Sequence, residues 1–157
     1  MNTLIAYYSR SGNTKKVAEA ISKAIGGDLE EITESRSRAG VLGFLLSGRE
    51  AKEEKVSTIN SLRYDPTNYD LLIVGTPVWA GKMSSPIRTY LVKAAGKIKK
   101  VAYFATLGGN DVPAIFIEME KITGHPEATL IIPAGEIKDS KYIDKSKKFV
   151  EILKKEK

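Results

Sequence analysis

The chain contains no cysteine, and this absence excludes several classes of chemistry. Disulfides, thiolate metal sites, cysteine-bound iron–sulfur clusters and cysteine nucleophiles are all ruled out. The one histidine, His125, lies between a predicted helix and a predicted strand and cannot form a metal site alone, so we expect no metal. Any redox activity of this chain would therefore need a bound cofactor.

Long apolar runs are also lacking. No stretch approaches the roughly 20 apolar residues that cross a bilayer, and the first residues lack the pattern of a secretory signal. We therefore expect a cytoplasmic protein that does not bind membranes. The 157 residues, 42% of them hydrophobic and 28% charged, suit one globular domain, which we predict to span residues 1–157.

Positive charge is unevenly distributed along the chain. The formal net charge is +6, and residues 138–157 hold eight lysines and four acidic residues. A solvated helix face explains such a run, and the alternative is a docking surface for an acidic partner or nucleic acid. We find no interleaved aromatic platform for bases, and we expect no nucleic-acid partner.

Apolar and β-branched runs alternate with helical patterns along the chain. Runs typical of strands buried on both faces cover residues 3–8, 28–33, 70–75, 100–106 and 128–132. Helical patterns cover residues 13–25, 84–95, 112–123 and 140–155. The last of these patterns places four apolar residues inside, namely Ile143, Phe149, Ile152 and Leu153. This alternation predicts an α/β fold with a parallel sheet built from right-handed crossovers.

Residues 34–68, between the second and third predicted strands, form a segment too long for a plain loop. One interpretation is a crossover helix with a long irregular return. The other is a lid or a subunit contact, because the segment holds five large apolar residues in six positions, more than one helix stripe buries. These residues are Val41, Leu42, Phe44, Leu45 and Leu46.

The segment SRSGNT, residues 9–14, joins the first predicted strand to the first helix. It matches neither the GxxxxGK[ST] nor the GxGxxG phosphate loop, and the first strand ends without the acidic cluster of a phosphoacceptor domain. Helix N–H groups and the hydroxyls of Ser9, Ser11 and Thr14 can converge on a terminal phosphate. Gly12 would allow close approach, and Arg10 would contact the phosphate or face solvent. The alternative is a hydroxyl-rich helix cap that binds no ligand.

Two more loops follow the third and fourth strands, within residues 75–86 and 105–111. If the strand order is 2-1-3-4-5, all three loops border one crevice where the winding reverses, which is where open α/β sheets bind ligands. Trp79, the only tryptophan, is poorly suited to the core there and well suited to stack on a planar ring. Small residues, Ala80 and Gly81 among them, would let backbone groups reach the ring.

The motifs SRSGNT, TPVWAGK and TLGGND resemble the three cofactor loops of the flavodoxin-like family. The resemblance covers nearly the whole chain, because the predicted strands and helices fall in the family's order. It implies a single-domain, doubly wound, three-layer α/β/α fold with a five-stranded parallel sheet in the order 2-1-3-4-5. It also implies that the chain binds flavin mononucleotide (FMN).

The resemblance assigns a role to each loop, and no side chain is assigned as catalytic. The phosphate would be held by Ser9, Arg10, Ser11, Gly12, Asn13 and Thr14. One ring face would be covered by Pro77, Val78, Trp79, Ala80, Gly81 and Lys82, and the ring edge would be held by Thr106, Leu107, Gly108 and Gly109. The positive charge of Lys82 would stabilise the reduced cofactor.

Two departures from the family pattern affect the expected function. The family's electron carriers are typically acidic, whereas this chain is basic, and residues 106–111 lack a second aromatic, which leaves one ring face uncovered. Both departures weaken the interpretation as a pure electron carrier. Reductases of the fold that this chain resembles commonly need a second subunit or a longer insertion, so we still expect electron transfer to or from a protein partner with an acidic docking face, in a monomer or a homodimer. The alternatives are an FMN-dependent NAD(P)H:quinone-type oxidoreductase and a binding module of this fold without flavin.

Overall fold

The computed structural model describes residues 1–35, 49, 57–109 and 114–155. Its strands are β1 (Thr3–Tyr7), β2 (Asp28–Glu31), β3 (Leu71–Trp79), β4 (Lys82–Met83), β5 (Val101–Leu107) and β6 (Thr129–Pro133). Its α-helices are α1 (Asn13–Ile25), α2 (Ser85–Ala94), α3 (Ala114–Thr123), α4 (Ala134–Lys138) and α5 (Tyr142–Lys155), and a 3-10 turn (Pro66–Asn68) precedes β3.

Five of the strands form a parallel sheet in the order β2-β1-β3-β5-β6. This is the predicted order 2-1-3-4-5, counted over the parallel strands alone, so the predicted α/β fold is confirmed. The sixth strand, β4, pairs antiparallel with the end of β3 and was not predicted. Since β1, β3 and β5 are parallel neighbours, the residues that follow them emerge at one edge of the sheet.

Alternate side chains of the strands build two cores, one on each face of the sheet. Ile5, Ile73 and Phe104 pack with α1 and α5 on one face. Leu72 and Tyr103 pack with α2 and α3 on the other. This period-two division explains why the central strands are mostly apolar, because both of their faces are buried.

The structure corrects some details of the helices. Helix α4 was not predicted, and Ile143 and Ile152 of α5, which the helical pattern had placed inside, are 39% and 48% exposed. The apolar patch at residues 41–46 lies outside the described residues, so the choice between crossover, lid and subunit contact stays open. No helix in the described ranges combines the length and apolarity that crossing a membrane requires.

The ring of Phe104 lies over Gly75, its register partner in the pairing of β3 with β5. A Cβ atom at Gly75 would collide with the Phe104 ring, and that ring is fully buried and cannot move aside. We therefore expect Gly75→Ala to lower the free energy of unfolding by about 1–3 kcal/mol in urea denaturation. The matched control is Gly135→Ala in α4, where an added Cβ meets no atom within 4 Å. Equal losses for the two variants would contradict the proposed steric constraint.

Candidate functional site

The loop between β1 and α1 is organised around the hydroxyl of Ser9. Its Oγ accepts hydrogen bonds from the backbone N–H groups of Gly12 at 3.1 Å and Lys15 at 3.2 Å. Gly12 is the N-cap residue of α1 and has φ of 93°, a left-handed conformation that glycine adopts most readily. The backbone of residues 9–14 is therefore fixed in a tight turn before any ligand is considered.

The N-terminal end of α1 has backbone N–H donors that lack protein acceptors among the described residues. Among the described residues, the N–H groups of Ser11, Asn13 and Thr14 donate to no protein acceptor, and the first turn of α1 contains no acidic side chain. The positive end of the helix dipole lies at the same place. The site therefore fits a dianionic phosphate group, since the donors are present and no carboxylate competes for them.

A buried hydrogen bond joins this first loop to the end of β5. The hydroxyls of Thr14 and Thr106 lie 2.8 Å apart, and the two residues are only 2% and 5% exposed. One hydroxyl must donate to the other, so a single hydroxyl hydrogen of the pair remains for a third partner. The first and third predicted loops are therefore in direct contact.

The second predicted loop is a β-hairpin. Strand β3, which was expected to end at Gly75, continues to Trp79, and Trp79 then pairs with Lys82 of β4. Ala80 and Gly81 between them have φ of 49° and 76°, and positive φ at both central residues is the mark of a type I′ turn. The sequence signal that could have predicted this hairpin is the apolar pair Val78 and Trp79 directly before a two-residue turn that contains glycine.

The base of the hairpin is held by hydroxyl groups. The N–H of Ser84 donates to Oγ1 of Thr76 at 3.0 Å, and the Thr76 hydroxyl lies 3.2 Å from the Ser84 hydroxyl. Ser84 is the N-cap residue of α2, but its side chain makes no capping bond. The serine therefore fixes the hairpin to the start of α2.

Trp79 differs from its prediction. The expectation that it is poorly placed for the core is wrong, since it is only 6% exposed and belongs to the same apolar cluster as Met83. Its ring meets that of Tyr8 edge to face, with centroids 5.5 Å apart and planes at 89°. Because Tyr8 directly follows β1, this contact ties the hairpin to the first loop. A stacking role for Trp79 on a cofactor stays a prediction.

Three charged side chains meet beside the hairpin, and only one of them was predicted to matter. The Lys82 ammonium is ion-paired with one carboxylate oxygen of Glu118 in α3. The guanidinium of Arg88 in α2 donates to the other oxygen at 3.1 Å. Sequence reasoning missed Arg88 and Glu118, because the partners are 30 and 36 residues apart with no local pattern to link them. The field of Lys82 is thus opposed by a carboxylate in contact with it.

The remaining predicted residues border open space or lie at its edge. An added Cβ at Gly81, Gly108 or Gly109 would meet no atom within 4 Å, and all three residues are exposed. Arg10, Pro77 and Val78 are half-buried, and Leu107 is buried at the end of β5. Asn110 and Asp111, the end of the third motif, lie outside the described residues.

A separate groove of about 690 Å³ lies between α1 and α5 and contains none of the sixteen predicted cofactor residues. Its rim carries lysines from both helices together with two glutamates. They are Lys16, Lys23, Lys147, Lys154, Glu19 and Glu151. The lysine-rich segment 138–157 thus contributes Lys147 and Lys154 to a surface on the α1 and α5 face of the sheet, and docking there stays a prediction.

The structure is a doubly wound α/β fold in which the N-terminal end of α1, after the first strand, has backbone donors that fit a phosphate group. The family model for flavodoxin matches residues 2–152. The chain therefore belongs to the flavodoxin family.

Solved structures of flavoproteins share this fold. A flavoprotein from Lactobacillus acidophilus NCFM, solved in complex with FMN, is 28% identical, with a TM-score of 0.73 over 88% of this chain and 97% of that chain. A protein from Bacteroides uniformis described as a flavoprotein is 22% identical, with a TM-score of 0.78 over 96% of this chain and 97% of its own, and this likeness shows the fold alone.

A curated relative carries the name of an enzyme. An NAD(P)H dehydrogenase (quinone) from Cupriavidus metallidurans is 26% identical over 127 residues, which is 81% of this chain. The match spans only 61% of the length of that relative.

The buried hydroxyl pair gives a test of how the loops are joined. Thr14→Val leaves the Thr106 hydroxyl buried without this partner, so we expect a loss of about 1–3 kcal/mol in the unfolding free energy of the ligand-free protein. Thr106→Val should have a similar effect, and the double variant should be less destabilised than the sum, because neither hydroxyl is then left unpaired. Urea denaturation of all four proteins measures the coupling, and strictly additive losses would contradict it.

Proposed function

We propose that this protein binds FMN noncovalently where residues 9–14, 77–82 and 106–109 meet. The proposal rests on the N-terminal end of α1. Three backbone N–H donors there lack protein acceptors within the described residues, and no acidic side chain lies in the first turn. Each hydrogen bond to a charged group contributes about 1.5–3 kcal/mol, so a few suffice for micromolar binding. The FMN complex of the similar Lactobacillus acidophilus flavoprotein supports this choice of ligand.

Each part of the crevice would have its own task. The N–H groups of residues 11, 13 and 14, with the Ser11 hydroxyl, would hold the phosphate, while Ser9 keeps the loop closed. The hairpin would cover one face of the flavin ring, and Gly108 and Gly109 would admit its edge to the backbone. Bound FMN would supply the electron-transfer chemistry, and the chain would supply binding, orientation and exclusion of water.

We further propose that the protein mediates electron transfer to or from a protein partner in the cytoplasm. Residues 9–14, 77–82 and 106–109 include neither a carboxylate nor a histidine, as suits a site that passes electrons without acid or base catalysis. The net charge of +6 favours a partner with an acidic docking face, because complementary charge speeds encounter. Monomer and homodimer are both compatible with this function.

A second candidate is an FMN-dependent NAD(P)H:quinone-type oxidoreductase. The name of the Cupriavidus metallidurans relative favours it, although the chain spans 61% of that relative. A third possibility, a module of this fold that binds no flavin, is decided by the binding experiment itself.

The binding proposal is tested with FMN and riboflavin, which differ by the phosphate alone. We expect the purified protein to bind FMN at least about tenfold more tightly than riboflavin in a fluorescence titration. Ser11→Ala removes an exposed hydroxyl and should weaken FMN binding by about tenfold while leaving riboflavin binding and thermal stability unchanged. Ser61→Ala, another exposed serine outside the three loops, is the matched control. No FMN binding by the wild-type protein would reject the proposal.

The two candidate activities give different results with a nicotinamide. If the protein is an electron carrier, the FMN-loaded form should oxidise NADH and NADPH in the presence of a quinone no faster than free FMN at the same concentration. It should instead pass electrons to a protein acceptor at a rate that falls as salt screens the basic surface. Quinone-dependent oxidation well above the free-FMN rate, followed at 340 nm as the absorbance of the nicotinamide disappears, would establish the reductase instead.

A further inference from the structure

The hairpin that carries residues 77–82 is too short to hold its own position. Only two residue pairs join its strands, Val78 with Met83 and Trp79 with Lys82. Isolated two-stranded hairpins are marginal in water even when they are longer. Contacts from outside the hairpin must therefore fix its orientation over the crevice.

Glu118 supplies such a contact at Lys82, the first residue of β4. One of its carboxylate oxygens is ion-paired with the ammonium of Lys82, the residue that follows the turn. The side chain of Glu118 is only 17% exposed, so this interaction is less screened than a surface ion pair. Removing one partner of a partly buried pair is costly, because the other charge then lacks compensation.

Arg88 holds the same carboxylate from a second direction. Its guanidinium, on a side chain 11% exposed, donates to the other carboxylate oxygen at 3.1 Å. Both oxygens therefore have a cationic partner, which fixes the orientation of the carboxylate toward the hairpin. Glu118 thus joins three elements, namely β4, α2 and α3.

The position of Glu118 along the chain relates its contacts with Lys82 and Arg88 to the proposed flavin site. It lies four residues after the start of α3, the first described helix after residues 106–109. The carboxylate therefore links the hairpin, which would cover the ring face, to the helix that follows the loop at the ring edge. We propose that Glu118 is a positioning residue, which holds the hairpin in the orientation that binds the flavin ring without touching the cofactor. This inference rests on the proposed FMN binding.

The test uses Glu118→Gln, which keeps the side-chain shape and removes its charge. Trp79 lies on the hairpin and is the only tryptophan, so its fluorescence reports on this element alone. In the ligand-free variant we expect the acrylamide quenching constant of Trp79 to rise at least about twofold, while thermal unfolding stays cooperative. We also expect the affinities for FMN and riboflavin to fall by the same factor, about tenfold, because the hairpin acts on the ring and not on the phosphate.

A matched control is available at the other end of the sheet. Glu127, 24% exposed, is paired with Lys100 at 3.5 Å, just before β6. Glu127→Gln removes a comparable carboxylate and should change neither the quenching constant nor either flavin affinity. Should Glu118→Gln fail to fold, Lys82→Gln removes the same ion pair from its more exposed side and should give the same quenching result.

Each outcome is decisive for Glu118. A wild-type quenching constant in Glu118→Gln would overturn the proposal, and so would a wild-type riboflavin affinity. The second result includes a loss confined to FMN, since that loss would act through the phosphate. A wild-type protein that binds neither flavin would reject FMN binding as the function. The quenching comparison would still test the hairpin contact in that case, supporting it if quenching rises and overturning it if quenching does not.

Discussion

The parallel alignment of β1, β3 and β5 is the constraint on which the site depends. Tyr7 pairs with Gly75 and Gly75 with Phe104, so the three strands reach the same level of the sheet side by side. The N–H of Tyr8 extends this pairing by donating to the Gly75 carbonyl at 3.2 Å. Because parallel strands place their carboxyl ends together, segments far apart in sequence are delivered to one edge.

Specific contacts then convert this shared edge into a defined crevice. The Thr14 and Thr106 hydroxyls join the first loop to the end of β5, and the Tyr8 and Trp79 rings join it to the hairpin. These contacts are buried, so solvent does not compete for them as it would at the surface. The helix end that would hold a phosphate and the hairpin that would cover a ring are therefore mechanically linked through the protein.

The sequence was informative where local patterns determine structure. Burial of the central strands β1, β3 and β5, the stripe of α1 and the order of the parallel strands follow from periodicity and from the alternation of strand and helix. Burial on both faces was wrong for β2 and β6, which lie at the edges of the sheet and are mostly partly buried or exposed. The hairpin was missed because the apolar run of the third strand was bounded at residue 75, two residues before Pro77. Beyond Gly75 the strand β3 is no longer paired with β1, and a strand edge without a neighbour tolerates proline. Trp79 was misjudged for the same reason, since a loop residue would be exposed and a hairpin residue packed on Tyr8 is not.

The long-range charge pairs could not be predicted from the sequence for a different reason. The pairing of Lys82 and Arg88 with Glu118 depends on how α2 and α3 pack, and no spacing along the chain encodes it. Ile143 and Ile152 of α5 show the same limit, because their helical stripe fits burial while the neighbouring elements leave them uncovered. Periodicity gives the face of an element but not what lies opposite it.

The ion pair between Lys82 and Glu118 changes how the basic charge of the chain should be understood. A lone Lys82 beside the crevice would favour added negative charge on a bound cofactor, but a carboxylate in contact with the ammonium opposes that effect at every distance. The lysine excess lies chiefly in residues 138–157, and the described part of that segment includes α5, which packs with α1. Exposed charges act over a screening length of only about 8–10 Å at physiological salt. The net charge of +6 therefore bears on the approach of a partner more than on the energetics of the crevice.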